Sequence, residues 1–306
     1  MFTLAHLSDV HLGPMPEGAA WRNFALKRPI GYLSWQLKRH KLHDPAVAEA
    51  IAADIRAVKP DHVALTGDIV NIAAYDEFPA AAKCLRRLGS PQDVTFVPGN
   101  HDTYVKCGWE HGLGFLAPWM TGDMRVMVTQ MNGQIATPFP FVRLRKNVAL
   151  IGLSSAIPQP LHLAGGALGP KQLESLAVLL RDLREKGYAR VVLIHHPPFP
   201  GLAVRRKALR DASTLRGVIE QEGAELILHG HNHRHLLTPL KSRFGMVHAL
   251  GVPSASMALA GKHTPAAWYR YTIDRVDGRW QAGVTVRAYD PATRRIATAS
   301  EFVLST

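Results

Sequence analysis

The chain has almost no sulfur with which to cross-link itself. Cys84 and Cys107 are its only cysteines, so no disulfide framework holds the 306 residues together and a structural zinc site of the four-cysteine kind is excluded. Long apolar runs are missing as well: nothing approaches 18 apolar residues, and the opening MFTLAHLSDVHLG lacks the charged start and apolar stretch of a signal peptide. The expectation is a protein of the reducing cytoplasm, with peripheral contact at the inner membrane surface as its one route to lipid. Acid is also scarce. Lysine and arginine number 36 against 24 aspartates and glutamates, a formal charge of +12, and Arg22, Lys27, Arg28, Lys38, Arg39 and Lys41 share one stretch with no acid between them. Such a balance favours anionic partners: phosphates, nucleic acid or acidic lipid. No low-complexity tract, internal repeat or long linker interrupts the chain, so residues 1–306 read as one domain.

What is present is an alternation. Short β-branched runs at Phe2 to Leu7, His62 to Thr66, Val94 to Val97, Val148 to Leu153, Val191 to Ile194 and Leu226 to Leu228 predict strands. Between them Pro45 to Val58, Ala73 to Leu88, Pro170 to Lys186 and Ser213 to Glu222 carry helical periodicity, several with proline or serine near the start. This predicts a layered α/β domain. After Gly245 the pattern changes: MVHALGV, WYRYTID and RWQAGVTVRAYD read as strands, the last two joined by the hairpin signal Asp277-Gly278, so the chain is expected to end in antiparallel sheet. The segment 103–138, rich in Gly, Met and Trp, reads as an irregular excursion.

Five polar clusters follow predicted strands: Asp9-Val10-His11, Gly67-Asp68, Gly99-Asn100-His101-Asp102, His195-His196 and Gly230-His231-Asn232-His233. Ligands of α/β sheets gather outside the carboxyl ends of strands, so these side chains can converge although they are distant in sequence. Any one of them is a plausible turn or helix cap. Together they supply carboxylate, imidazole and amide donors, the set that borderline divalent metals prefer, in numbers that turn formation does not require.

The order D-x-H, G-D, G-N-H-D, H-x-P-P and G-H-x-H, from Asp9 to His233, resembles the calcineurin-like metallophosphoesterase family. The resemblance implies an α/β fold (α+β by some schemes): a four-layer α-β-β-α sandwich of two mixed sheets with two metal ions at the strand ends. It further implies that Asp9, His11 and His233 hold one metal, that Asn100, His195 and His231 hold the other, and that Asp68 bridges both. Manganese, iron or zinc suits this mixture of N and O donors. His195 and His196 both precede Pro197-Pro198; family position favours His195, which leaves His196, like His229 and His235, as a structural or supporting histidine. His101 is expected to donate a proton to the leaving oxygen or stabilise its charge, and Asp102 to fix the His101 tautomer.

The implied reaction is hydrolysis of a phosphate ester: two cations acidify a water between them to a bridging hydroxide and clamp the phosphoryl oxygens. A cyclic nucleotide or similar small phosphodiester is the first expectation, and a lipid-linked pyrophosphate at the membrane surface is the second. A non-catalytic protein-binding scaffold is the reading of another class, against which the complete donor set argues. No recognisable nucleic-acid module is present. The segment Trp21 to Asp44 has apolar Ile30, Leu33, Leu37, Tyr32 and Trp35 at helical spacing among its cations. It reads equally as a membrane-surface element touching anionic lipid or as a helix packed on the sandwich with its lysines in water. Arg205, Arg206, Lys207 and Arg210 form a second basic run, read as a solvated face or as further contacts to phosphate.

Overall fold

In a computed structural model, residues 1–18, 27–123 and 139–306 are described; Trp21 and Arg22 of the basic stretch and residues 124–138 of the expected excursion lie outside them. Two six-stranded mixed sheets lie between pairs of helices. The first sheet runs in the order β12 (Arg295–Ser305), β11 (Arg279–Asp290), β10 (Ala267–Val276), β1 (Phe2–Leu7), β2 (His62–Leu65), β3 (Val94–Phe96). The second runs β4 (Phe141–Arg145), β5 (Val148–Gly152), β6 (Ala189–Leu193), β7 (Leu226–His229), β9 (Gly245–Gly251), β8 (Leu236–Ser242). Strands β1, β2 and β3 are parallel to one another, as are β5, β6, β7 and β9. All their carboxyl ends are therefore available to a common site.

The period of two along each strand creates the layers. Val191 and Leu193 of β6 join the core shared with the first sheet, whereas Val192 between them joins the core under α4 (Pro170–Glu185) and α5 (Ala212–Glu222). In β7, Leu226 and Leu228 divide from Ile227 in the same way. On the far side Ile51 and Ile55 of α2 (Pro45–Val58) and Phe78 and Leu85 of α3 (Glu77–Leu88) cover the first sheet. Each fully buried aliphatic side chain stabilises this arrangement by about 2 kcal/mol.

Helix α2 begins where the sequence predicts: Pro45 occupies the first turn and Asp44 Oδ1 accepts from Ala46 N at 2.8 Å. Helix α3 starts later than its periodicity suggests. The Glu77 carboxylate accepts from the N–H groups of Asn71, Ile72 and Ala74 and folds residues 71–76 into a loop. The Asp277-Gly278 turn joins β10 to β11, both residues having positive φ (49° and 78°). The antiparallel ending holds for β10, β11 and β12, but β9 pairs parallel with β7 in the other sheet. Within the expected excursion, the described residues 113–120 pack against the core, with Leu116, Trp119 and Met120 buried. No helix among the described residues is long and apolar enough to cross a membrane.

Candidate metal centre

All five strand-end clusters meet on one side of the sandwich. Asp9 and His11 follow β1, Asp68 follows β2, Asn100, His101 and Asp102 follow β3, His195 follows β6, and His231 and His233 follow β7. Backbone bonds stitch the turns together: Asp9 N donates to Gly67 O at 3.0 Å, His11 N to Asp68 O at 2.9 Å, and Gly230 N to His195 O at 3.1 Å. Across the gap between the sheets, His231 N donates to Asp9 Oδ2 at 3.0 Å.

The turns are strained. Asp9, His11, Asp68, His231 and His233 all have positive φ, between 44° and 69°. A residue with a Cβ gives up about 1–2 kcal/mol in that region, and such strain persists where the surrounding structure over-determines it. Two glycines permit the close approach. A Cβ at Gly99 would overlap the Asp68 carboxylate, and one at Gly230 would overlap Ser8 and Asp9.

Two groups of donors share Asp68. In one, His233 Nε2 lies 3.1 Å from Asp9 Oδ1, and His11 Nε2 lies 3.4 Å from His233 Nε2 and 3.8 Å from Asp68 Oδ2. In the other, His195 Nε2 lies 3.5 Å from Asp68 Oδ2, 3.2 Å from Asn100 Oδ1 and 3.2 Å from His231 Nδ1. The outward nitrogens are held. His195 Nδ1 donates to Thr66 O at 2.7 Å and His231 Nε2 donates to Lys207 O at 3.0 Å, which leaves the opposite nitrogen of each ring as a lone pair facing the group. His196 is different: Nδ1 pairs with Ser155 Oγ (2.8 Å) and Nε2 with Ala164 O (3.1 Å), so neither nitrogen is free. His235 pairs with the Tyr269 hydroxyl at 2.7 Å, and His229 lies buried behind Gly230 with its Nδ1 on the Gly230 carbonyl.

The electrostatics favour a cation. Burial opposes ionisation of Asp68, yet His195, His101 and His11 hold its carboxyl well below the usual range. Burial likewise opposes protonation of His195, but Asp68, the bond to it and Asp9 outweigh burial and raise the ring to about 9. Two buried carboxylates among imidazoles, with no thiolate, fit two divalent cations, and a cation at His195 would take the place of the proton that Asp68 otherwise holds on that ring.

His101 and Asp102 separate in role. The His101 ring donates Nδ1–H to Asn71 O at 2.5 Å, stacks on Tyr104 at 5.7 Å between centroids, and is pushed to about 4 by burial and then by the Arg39 guanidinium. The Asp102 carboxylate does not orient that ring. It accepts from four backbone N–H groups, those of Asp68, Ile69, Val70 and Gly99, at 2.7–3.1 Å. The expectation that Asp102 fixes the His101 tautomer is thus corrected: the Asn71 carbonyl meets that nitrogen, because the turn behind Asp68 exposes N–H groups that need the carboxylate more.

Two residues near the donors have no motif to announce them. Arg39, on a single 3-10 turn at Arg39–Lys41, reaches in from the basic stretch, with Nη2 2.9 Å from His11 Nδ1 and Nη1 3.2 Å from His101 Nδ1. His43 is buried with its ring centroid 4.5 Å from that of His11, and its Nδ1 pairs with Ser256 Oγ at 2.8 Å. The acid-free run around Arg39 was the only sequence signal for the first, and nothing marked the second. Above the donors opens a cavity of about 470 Å³, walled by Lys27, Arg39, Tyr104, Gln159 and Lys207 and rimmed by Ile30, Leu161 and Leu163.

Known proteins resemble this chain in sequence or in fold. The glycerophosphodiester phosphodiesterase GpdQ of Enterobacter lignolyticus is 27% identical over 244 residues, covering 77% of this chain and 72% of the relative. The fold matches a dimetal phosphatase from Danio rerio, with a TM-score of 0.60, 12% identity, and 99% and 98% of the two chains covered. It also matches a purple acid phosphatase from Lupinus luteus at 0.57, with 12% identity over 99% of this chain and 53% of that one. The sequence model for calcineurin-like phosphoesterases matches residues 2–235, from β1 through the last of the converging histidines. The chain belongs to the calcineurin-like phosphoesterase family and is a hydrolase of phosphate esters.

Proposed function

We propose that the chain hydrolyses a phosphodiester, with Asp9, His11 and His233 holding one metal ion, Asn100, His195 and His231 the second, and Asp68 both. The observation that carries this reading is the sharing of Asp68 Oδ2 between His11 at 3.8 Å and His195 at 3.5 Å, at the floor of a basic cavity. Manganese, iron or zinc suits the donor set. Bound there, two cations supply an acidified water as nucleophile and offset phosphoryl charge. The chain's own groups do the rest: Arg39 and Lys207 bind the phosphoryl oxygens, and His101, anchored on Asn71 O, faces the leaving oxygen.

A diester is favoured over a monoester because the cavity has two dissimilar walls, a cationic one for phosphate and the rim of Ile30, Leu161 and Leu163 for a second ester group. The phosphodiesterase activity in the name of the Enterobacter relative supports the same class. A cyclic nucleotide would fill a cavity of this size, whose lining includes the rings of Tyr104 and His162, while the rim of Ile30, Leu161 and Leu163 suits a glycerol-type or lipid-linked ester. Bis-p-nitrophenyl phosphate, a cyclic nucleotide, a glycerophosphodiester and a lipid-linked pyrophosphate, each assayed with manganese, test the reading. Hydrolysis of one or more diesters is expected. A protein that turns over none of the diesters in manganese, iron or zinc would be a scaffold with a silent site.

A further inference from the structure

Three segments meet at the mouth of the cleft: α1 (Lys27–Leu37), the stretch 155–166 after β5 and the stretch 199–210 after β6. They are tied to one another. Lys27 Nζ donates to Gln159 O at 3.0 Å and Tyr104 O at 3.2 Å, and Ala164 N donates to Arg206 O at 3.0 Å. Each segment leaves large aliphatic side chains in water: Ile30, Leu33 and Leu37 at 49–62% exposure, Leu161 and Leu163 at 38–39%, and Val204 at 62%. Single exposed apolar residues are ordinary, but six from three chain segments around one cavity mark a binding surface.

The orientation of α1 shows that this stripe is not misplaced core. Tyr32 and Trp35 pack on Met15, Ile72 and Ala74, and Gly31 lies so close to Ile72 and Tyr104 that a Cβ would sit 2.8 Å from each. With that face fixed inward, the spacing 30, 33, 37 turns the aliphatic stripe outward. The helix therefore divides the apolar residues of the stretch: aromatics anchor it and aliphatics face solvent.

Charge names the occupant. Residues 27–43, 155–173 and 197–210 contain no aspartate or glutamate, whereas Lys38, Lys41, Arg205 and Arg206 stand exposed among the aliphatics. Aliphatic side chains interleaved with lysine and arginine, without carboxylates, are complementary to an anionic phospholipid surface, where the chains enter the headgroup boundary and the cations meet lipid phosphates. We infer that the mouth of the cleft docks on an anionic bilayer. A phosphodiester headgroup then reaches the donors while its hydrocarbon stays among Ile30, Leu161 and Leu163. What is cut at that surface rests on the phosphodiesterase reading; the docking itself does not.

Co-sedimentation of the full chain with phosphatidylcholine vesicles, with and without phosphatidylglycerol, tests the inference. Binding is expected to the anionic vesicles and to weaken as salt rises. Leu33→Glu with Leu37→Glu, and separately Lys38→Glu with Lys41→Glu, should each lower the bound fraction at least about tenfold. None of the four side chains lines the cavity, so both variants should hydrolyse bis-p-nitrophenyl phosphate at the wild-type rate, which also reports that they fold. Wild-type protein that ignores anionic vesicles while hydrolysing the soluble diester, or variants that bind as well as wild type, would overturn the docking and leave the reaction standing. Binding without turnover of any diester would support the docking and remove the phosphodiesterase reading instead.

Discussion

The floor and the mouth of the cleft are built by opposite means. On the floor, Asp9, Asp68 and His195 are fully buried, five donors sit at positive φ, and Gly99 and Gly230 leave no room for a methyl group. At the mouth, Leu33, Leu37 and Val204 are more than half exposed and Lys38, Lys41 and Arg206 stand in water. The floor spends stability on geometry and tolerates no change, as reaction centres do. Among the non-glycine residues of the three mouth segments His162 alone has positive φ, and the exposed aliphatic and cationic side chains there carry little of the packing.

Substitutions sharpen that contrast, beginning where the effect is largest. Asp68→Asn should lower turnover of bis-p-nitrophenyl phosphate by about 10³-fold or more, since both donor groups lose their shared carboxylate. Asn100→Ala or His101→Ala should each cost about a hundredfold with the circular dichroism spectrum unchanged. Wild-type rates in either variant would contradict the roles assigned to them. Arg39→Ala should lower kcat/KM about tenfold, mainly through KM, if the guanidinium binds phosphoryl oxygens.

Asp102→Ala belongs to the floor but should act chiefly on stability. Four buried N–H groups lose their acceptor, which costs about 3 kcal/mol or more and lowers the melting temperature by several degrees. A variant that melts like wild type would mean those groups find other partners. The smallest effect belongs to the mouth: Leu33→Glu with Leu37→Glu should leave melting temperature and soluble turnover within experimental error.

The same contrast explains what the sequence made legible. The floor could be read because strand ends are local: an apolar run followed by Asp-x-His or Gly-Asn-His-Asp places its donors by the geometry of one turn. The choice of His195 over His196 came from the family resemblance; the His196 ring lies beside His231, 4.5 Å between centroids, with both of its nitrogens bonded to protein groups. The partner of Asp102 was not legible, since its four N–H donors come from the turns after two different strands. Strand β8 was hidden by Pro239, which a sheet tolerates because β8 lies at an edge. Polar, mostly exposed β12 was hidden by its weak alternation at the other sheet's edge. Arg39 and His43 escaped because a side chain that arrives through space leaves no pattern in the chain. In the basic stretch the apolar spacing was visible; which residues face inward was fixed only by the approach of Gly31 to Ile72 and Tyr104.

The central claim is that seven strand-end donors form one binuclear centre around Asp68. Calorimetric titration of manganese into chelator-stripped protein, wild type beside Asp68→Ala, tests it most directly. The account predicts two equivalents bound by wild type and loss of tight binding at both sites in Asp68→Ala, with melting temperature rising on metal addition only in wild type. A wild-type stoichiometry of one or none, or two tight sites surviving without Asp68, would contradict it.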